Sequence, residues 1–117
     1  MTDGMGGITS HVLDTTTGRP AAGVAVDLEV LQAVGWMPAG AGLTDEDGRV
    51  SDLLPAGTEA LAATYRIRFD TGTYYGARGV ETFYPAVTVE FTVSEPGEHH
   101  HVPLLVSPFG YSTYRGS

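Results

Sequence analysis

Apolar and polar residues alternate with a period of two through several short stretches of the chain. This is the pattern of strands with one face on a core and the other exposed. It is cleanest over 24–30, where Val24, Val26, Leu28 and Val30 fall on one face and Ala25, Asp27 and Glu29 on the other. Residues 64–69 repeat it, with Tyr65, Ile67 and Phe69 opposite Arg66 and Arg68, as do 87–93, with Val87, Val89, Phe91 and Val93 together. Residues 8–14 predict a first strand, closed by the turn-like run 15–20. Residues 36–44 hold Pro38 and glycines, so they predict an edge or bulged strand. The turn Asp45-Glu46-Asp47-Gly48 feeds a short strand at 49–51, and further strands are expected over 99–106 and 110–115. The one helix expected spans 71–78 with Thr71 as its cap, although Gly72 and Gly76 each cost it about 1 kcal/mol relative to Ala.

Seven or eight strands joined by short, Gly- and Pro-punctuated turns, with one short helix, predict an all-β fold, an antiparallel sandwich. At 117 residues the chain suits a single domain, expected over 8–117 behind a flexible segment 1–7. No internal repeat or low-complexity segment interrupts it.

Composition narrows the chemistry. All six basic residues are arginines (Arg19, Arg49, Arg66, Arg68, Arg78 and Arg115), and there is no cysteine. Without lysine there is no Schiff-base catalysis and no phosphate-loop lysine. Without cysteine there is no thiol nucleophile, disulfide or thiolate metal site. A net charge of −8 opposes general binding to nucleic acid or to anionic membranes. Residues 1–7 lack the basic end and apolar run of a signal peptide, and no apolar stretch approaches the roughly 18 residues of a membrane helix. A soluble cytoplasmic protein is therefore expected.

Three of the four histidines are consecutive: His99, His100 and His101. On a strand, His99 and His101 share a face about 7 Å apart while His100 points the other way. They are either exposed strand histidines or, together with His11, working groups. His-x-His plus a remote histidine is also a three-histidine zinc pattern, which solvent-facing polar residues match equally well. No serine sits in a Gly-x-Ser-x-Gly elbow, and the acidic turn departs from calcium-loop spacing. What remains is His11, Arg49, His101 and a late arginine, Arg115, with Tyr111 and Tyr114 close by in sequence. Two imidazoles can move protons near neutral pH, and a guanidinium can orient a planar anion and stabilise charge developing on its oxygen. That set suits metal-free hydrolysis of an electron-poor carbonyl or imine.

The segments Ser10-His11-Val12-Leu13-Asp14, Gly18-Arg19-Pro20-Ala21, Thr44-Asp45-Glu46-Asp47-Gly48-Arg49, His101-Val102-Pro103-Leu104-Leu105, Ser107-Pro108-Phe109-Gly110-Tyr111-Ser112-Thr113 and Tyr114-Arg115-Gly116-Ser117 resemble the transthyretin-related 5-hydroxyisourate hydrolases. The closing tetrapeptide is the most specific part, because in that family it marks the enzyme and is missing from the hormone-carrying transthyretins. The resemblance implies a transthyretin-like sandwich and a homotetramer with active sites between dimers. It also implies hydrolysis of 5-hydroxyisourate to 2-oxo-4-hydroxy-4-carboxy-5-ureidoimidazoline in urate degradation, without metal or organic cofactor. By motif position it makes His11, Arg49 and His101 catalytic and lines the pocket with Tyr114, Arg115 and Ser117. His99 and Tyr111 would stand behind them. The competing expectations are a carrier of small hydrophobic ligands, an adhesion or carbohydrate-binding module, and a zinc enzyme using His11, His99 and His101.

Overall fold

The structure is a computed structural model that describes residues 7–117. The flexible segment expected at 1–7 falls, Gly7 apart, outside the described residues. The described chain runs through β1 (Ile8–Asp14), β2 (Arg19–Pro20), β3 (Ala25–Gln32), β4 (Gly35–Leu43) and β5 (Arg49–Val50). It continues through β6 (Ala63–Phe69), α1 (Thr71–Gly76), β7 (Val87–Val93), β8 (His100–Ser107) and β9 (Gly110–Thr113). β2 and β5 are only two residues long, so the seven longer strands carry the fold.

Two sheets face each other. One is ordered β2-β1-β8-β9, with β5 also paired to β1, and the other is ordered β4-β3-β6-β7. The alternating stretches supply the core between them: Ile8, Val12, Leu104 and Val106 from the first sheet meet Val26, Leu28, Ile67, Phe69 and Val87 from the second. All are buried. β4 is an edge strand, and its register slips between Leu28 opposite Gly40 and Glu29 opposite Pro38, leaving Ala39 as the extra residue of a bulge. One pairing departs from the antiparallel expectation. β1 and β8 run parallel over seven residue pairs, Ile8 opposite His100 through Asp14 opposite Val106. Strands so far apart in sequence need no hairpin, and this contact builds the site.

The helix is shorter than predicted and is capped one residue earlier, by the side chain of Asp70. The Asp70 carboxylate accepts from the Thr73 backbone N–H, and Thr71 is buried. Three donors converge on the buried Asp14 carboxylate: Tyr74 Oη at 3.0 Å, Tyr75 Oη at 2.9 Å and the Thr16 N–H at 3.0 Å. These bonds clamp α1 to the end of β1. Burial first, and the bond to Asp14 second, push the Tyr75 hydroxyl well above the ordinary tyrosine range, so it remains a donor. Among the described residues no helix is long and apolar enough to cross a membrane.

Candidate active site

The site forms where three strands meet on the outer face of the first sheet. In β1 the side chains of Ile8, Ser10, Val12 and Asp14 point inward, which leaves Thr9 and His11 on the partly exposed face. The parallel register sets Thr9 opposite His101, and the antiparallel β1–β5 register sets His11 opposite Arg49. Arg49 is launched by the acidic turn. The Asp45 carboxylate accepts from the backbone N–H groups of Asp47 at 2.8 Å and Arg49 at 3.0 Å. These bonds, that from Arg49 foremost, hold the Asp45 carboxyl below its ordinary value. Gly48 takes φ +75° and lies so close to β1 that an added Cβ would stand 2.5 Å from the Val12 carbonyl oxygen. The turn therefore lies flat on the strand that carries His11.

His99 and His101 share a face as their alternation requires, with ring centroids 6.5 Å apart. Thr9 Oγ1 stands between them, 2.7 Å from His99 Nε2 and 2.8 Å from His101 Nδ1. Burial, followed by the charges of His99, His11 and Arg49, lowers the His101 pKa below the ordinary histidine value, which favours the neutral imidazole. Thr9, Asp45, Arg49, Ser51, His99, His101 and Ser117 line an open cleft of about 370 Å³, within the size range of small-molecule sites. His11, opposite Arg49 in the β1–β5 register, is not among the residues that line this cleft. Among the described residues no three histidines or carboxylates converge as a metal-binding set.

The closing residues divide. Gly116 bridges to β8, its N–H donating to the His101 carbonyl at 2.9 Å, and this delivers Ser117 into the histidine cleft. Tyr114 and Arg115 instead line a second cleft of about 340 Å³, together with His100, Phe91 and one side of His101. Arg115 pairs with Glu98 at 3.0 Å, exposed to solvent. Tyr111 belongs to neither cleft. It pairs with Val106 across the β8–β9 hairpin, and its ring packs edge-to-face on Tyr84, centroids 5.3 Å apart.

A family model described as Transthyretin: HIUase/Transthyretin family matches residues 8–116. The chain belongs to this family. It is similar to the 5-hydroxyisourate hydrolase of Salmonella typhimurium, 49% identical over 107 residues that cover 92% of this chain and 78% of that protein. Among solved structures it is similar to the Klebsiella pneumoniae 5-hydroxyisourate hydrolase, with TM-score 0.81 and 31% identity over 97% of this chain and 94% of that one. It is equally similar in fold to sea bream transthyretin in complex with thyroxine, with TM-score 0.85 and 32% identity over 93% of each chain. A hydrolase and a thyroxine-binding protein thus share this HIUase/Transthyretin sandwich. The side chains on it have to distinguish them.

Three of the cleft residues escape a reading of the sequence: Thr9, Ser51 and Asp45, the last read only as part of a turn. Thr9 lies two positions before His11, hence on the same strand face, and that spacing was the available signal. The signal could not be used without the β1–β8 register.

Proposed function

We propose that this member of the HIUase/Transthyretin family hydrolyses 5-hydroxyisourate to 2-oxo-4-hydroxy-4-carboxy-5-ureidoimidazoline in urate degradation. The observation that carries the proposal is one cleft holding a neutral-biased imidazole, His101, beside the guanidinium of Arg49. A carrier of hydrophobic ligands has no use for this pairing.

In the proposed reaction Arg49 holds the planar, anionic substrate and faces the carbonyl oxygen on which charge grows. Among the described residues His101 Nε2 makes no hydrogen bond, so it is free to take a proton from water. The water oxygen bonds to the ring carbonyl carbon, the carbon–nitrogen bond opens, and the departing nitrogen takes up a proton from His11. Water is thereby added across the amide, hydroxyl to carbon and hydrogen to nitrogen, with no change of oxidation state. Ser117, brought in by the Gly116 bridge, closes one side of the cleft. Following the family resemblance, the proposal extends to residues 8–117 as one hydrolase domain and to a cytoplasmic homotetramer, whose mass light scattering reads directly.

The test follows absorbance decay of 5-hydroxyisourate made in place from urate. The protein should accelerate the decay with chelator present, and His11→Ala, Arg49→Ala and His101→Ala should each abolish most of the acceleration while remaining folded. Loss of activity to chelator with recovery on adding zinc would overturn the metal-free mechanism.

A further inference from the structure

The hydroxyl of Thr9 is within hydrogen-bond distance of two imidazole nitrogens at once, His99 Nε2 at 2.7 Å and His101 Nδ1 at 2.8 Å. A hydroxyl has one hydrogen to give and lone pairs to accept with. Both nitrogens can be satisfied only if one donates to Oγ1 and the other accepts from it. The three groups are therefore polarised in one of two directions. In the first, His101 Nδ1–H donates to Thr9, Thr9 donates to His99 Nε2, and His101 Nε2 is left with its lone pair. In the second, His99 Nε2–H donates to Thr9, Thr9 donates to His101 Nδ1, and His101 carries its proton on Nε2. A protonated His99 has N–H on both nitrogens and permits only the second.

We infer that Thr9 is a positioning residue that relays the proton His101 takes from water onward to His99, so that the charge does not stay on His101. The inference rests on the hydrolase reading and adds to it how His101 is reset. When His101 Nε2 has taken a proton from water, the ring holds two. Its Nδ1 proton passes to Thr9 Oγ1 as the Thr9 hydroxyl proton passes to His99 Nε2. One proton enters at His101 and one arrives on His99, which is the more exposed ring. His101 returns to neutrality with its remaining proton on Nε2, and passage of the His99 proton back through Thr9 to Nδ1 as the Nε2 proton leaves restores the base. The charge leaves a half-buried ring whose neighbouring charges are His99 just before β8, His11 on β1 and Arg49 on β5, with Asp45 the acidic group lining the same cleft.

Thr9→Val removes the hydroxyl at nearly constant shape, and Thr9→Ser keeps it. The expected result for Thr9→Val is a kcat lower by about 10- to 100-fold, within the range of acid–base contributions, with KM within about twofold. Thr9→Ser should recover kcat to within about threefold of wild type. Imidazole nitrogen NMR on the full chain supplies a readout that packing alone would not move. In wild type and Thr9→Ser, protonation of His99 should drive the His101 proton to Nε2; in Thr9→Val the two rings should respond independently. Unchanged kcat in Thr9→Val, a Thr9→Ser no better than Thr9→Val, or uncoupled rings in wild type would each overturn the relay. A wild-type protein inert toward 5-hydroxyisourate would instead remove the hydrolase reading, while the NMR coupling would still decide the hydrogen-bond chain.

Discussion

Gly116→Ala puts one methyl group against the ring proposed to do the chemistry. Built on the existing backbone, its Cβ would lie 2.5 Å from His101 Cδ2, 3.2 Å from Cγ and 3.3 Å from Pro103 Cγ. Carbon atoms rest at about 3.5 to 4.0 Å, so something must move by about 1 Å. If the ring swings, the 2.8 Å contact of its Nδ1 with Thr9 Oγ1 is lost. If residues 114–117 lift instead, the Gly116 N–H leaves the His101 carbonyl and Ser117 leaves the cleft. A misplacement of about 1 Å can cost about 100-fold in rate, and kcat/KM for 5-hydroxyisourate decay is expected to fall by about that factor. Stability should change little. The lifted segment forfeits one peripheral hydrogen bond, about 1 kcal/mol, and an exposed Arg115–Glu98 pair that contributes little. The assay is absorbance decay alongside urea denaturation of the same sample. A Gly116→Ala protein with kcat/KM within twofold of wild type, or one whose loss of activity follows global unfolding, would refute the reasoning.

Because the His101 pKa is lowered below the ordinary histidine value of 6.5, the acid limb of kcat/KM should be centred below 6.5. The linked stability has the same sign: folded His101 binds a proton less readily than unfolded, so this contribution is present above the unfolded value and lost as pH falls through the folded one. An acid limb centred above 6.5 would contradict it. Tyr75→Phe withdraws one of two hydroxyl donors from the buried Asp14 carboxylate and should lower unfolding stability by about 1 to 3 kcal/mol in urea; an unchanged midpoint would mean the clamp is idle. Gly40→Ala would drive a Cβ into the Leu53 carbonyl oxygen, a backbone atom with nowhere to go, and should destabilise the chain by about 1 to 3 kcal/mol with β4 displaced; a Tm equal to wild type would show that the loop yields freely.

Strands with one buried face were legible from alternation alone: β7 spans the predicted residues, β6 begins one residue earlier, and β3 begins one residue later and runs two residues further. The edge character of β4 was also legible, because Pro38 and Gly40 weaken a central strand and suit a bulge. Long-range register was not. Nothing local in Ile8–Asp14 or His100–Ser107 announces that the two run parallel, so Thr9 went unnoticed between His99 and His101. Proximity in sequence likewise grouped Tyr111 with the site. Hairpin pairing with Val106 puts it five residues along β8 from His101, about 17 Å away at strand rise. The split of Tyr114 and Arg115 from Ser117 has a similar origin, since the Gly116 bridge fixes which neighbours enter which cleft. Thr71 looked like a cap because threonine caps well, but Asp70 directly before it reached the Thr73 N–H instead.

The most direct measurement is a side-by-side decay of freshly generated 5-hydroxyisourate with no protein, with wild type and with His101→Ala confirmed folded by circular dichroism. Wild type should clear the substrate in a concentration-dependent way, and His101→Ala should follow the uncatalysed curve closely. A His101→Ala protein as fast as wild type would contradict the assignment of the chemistry to this cleft.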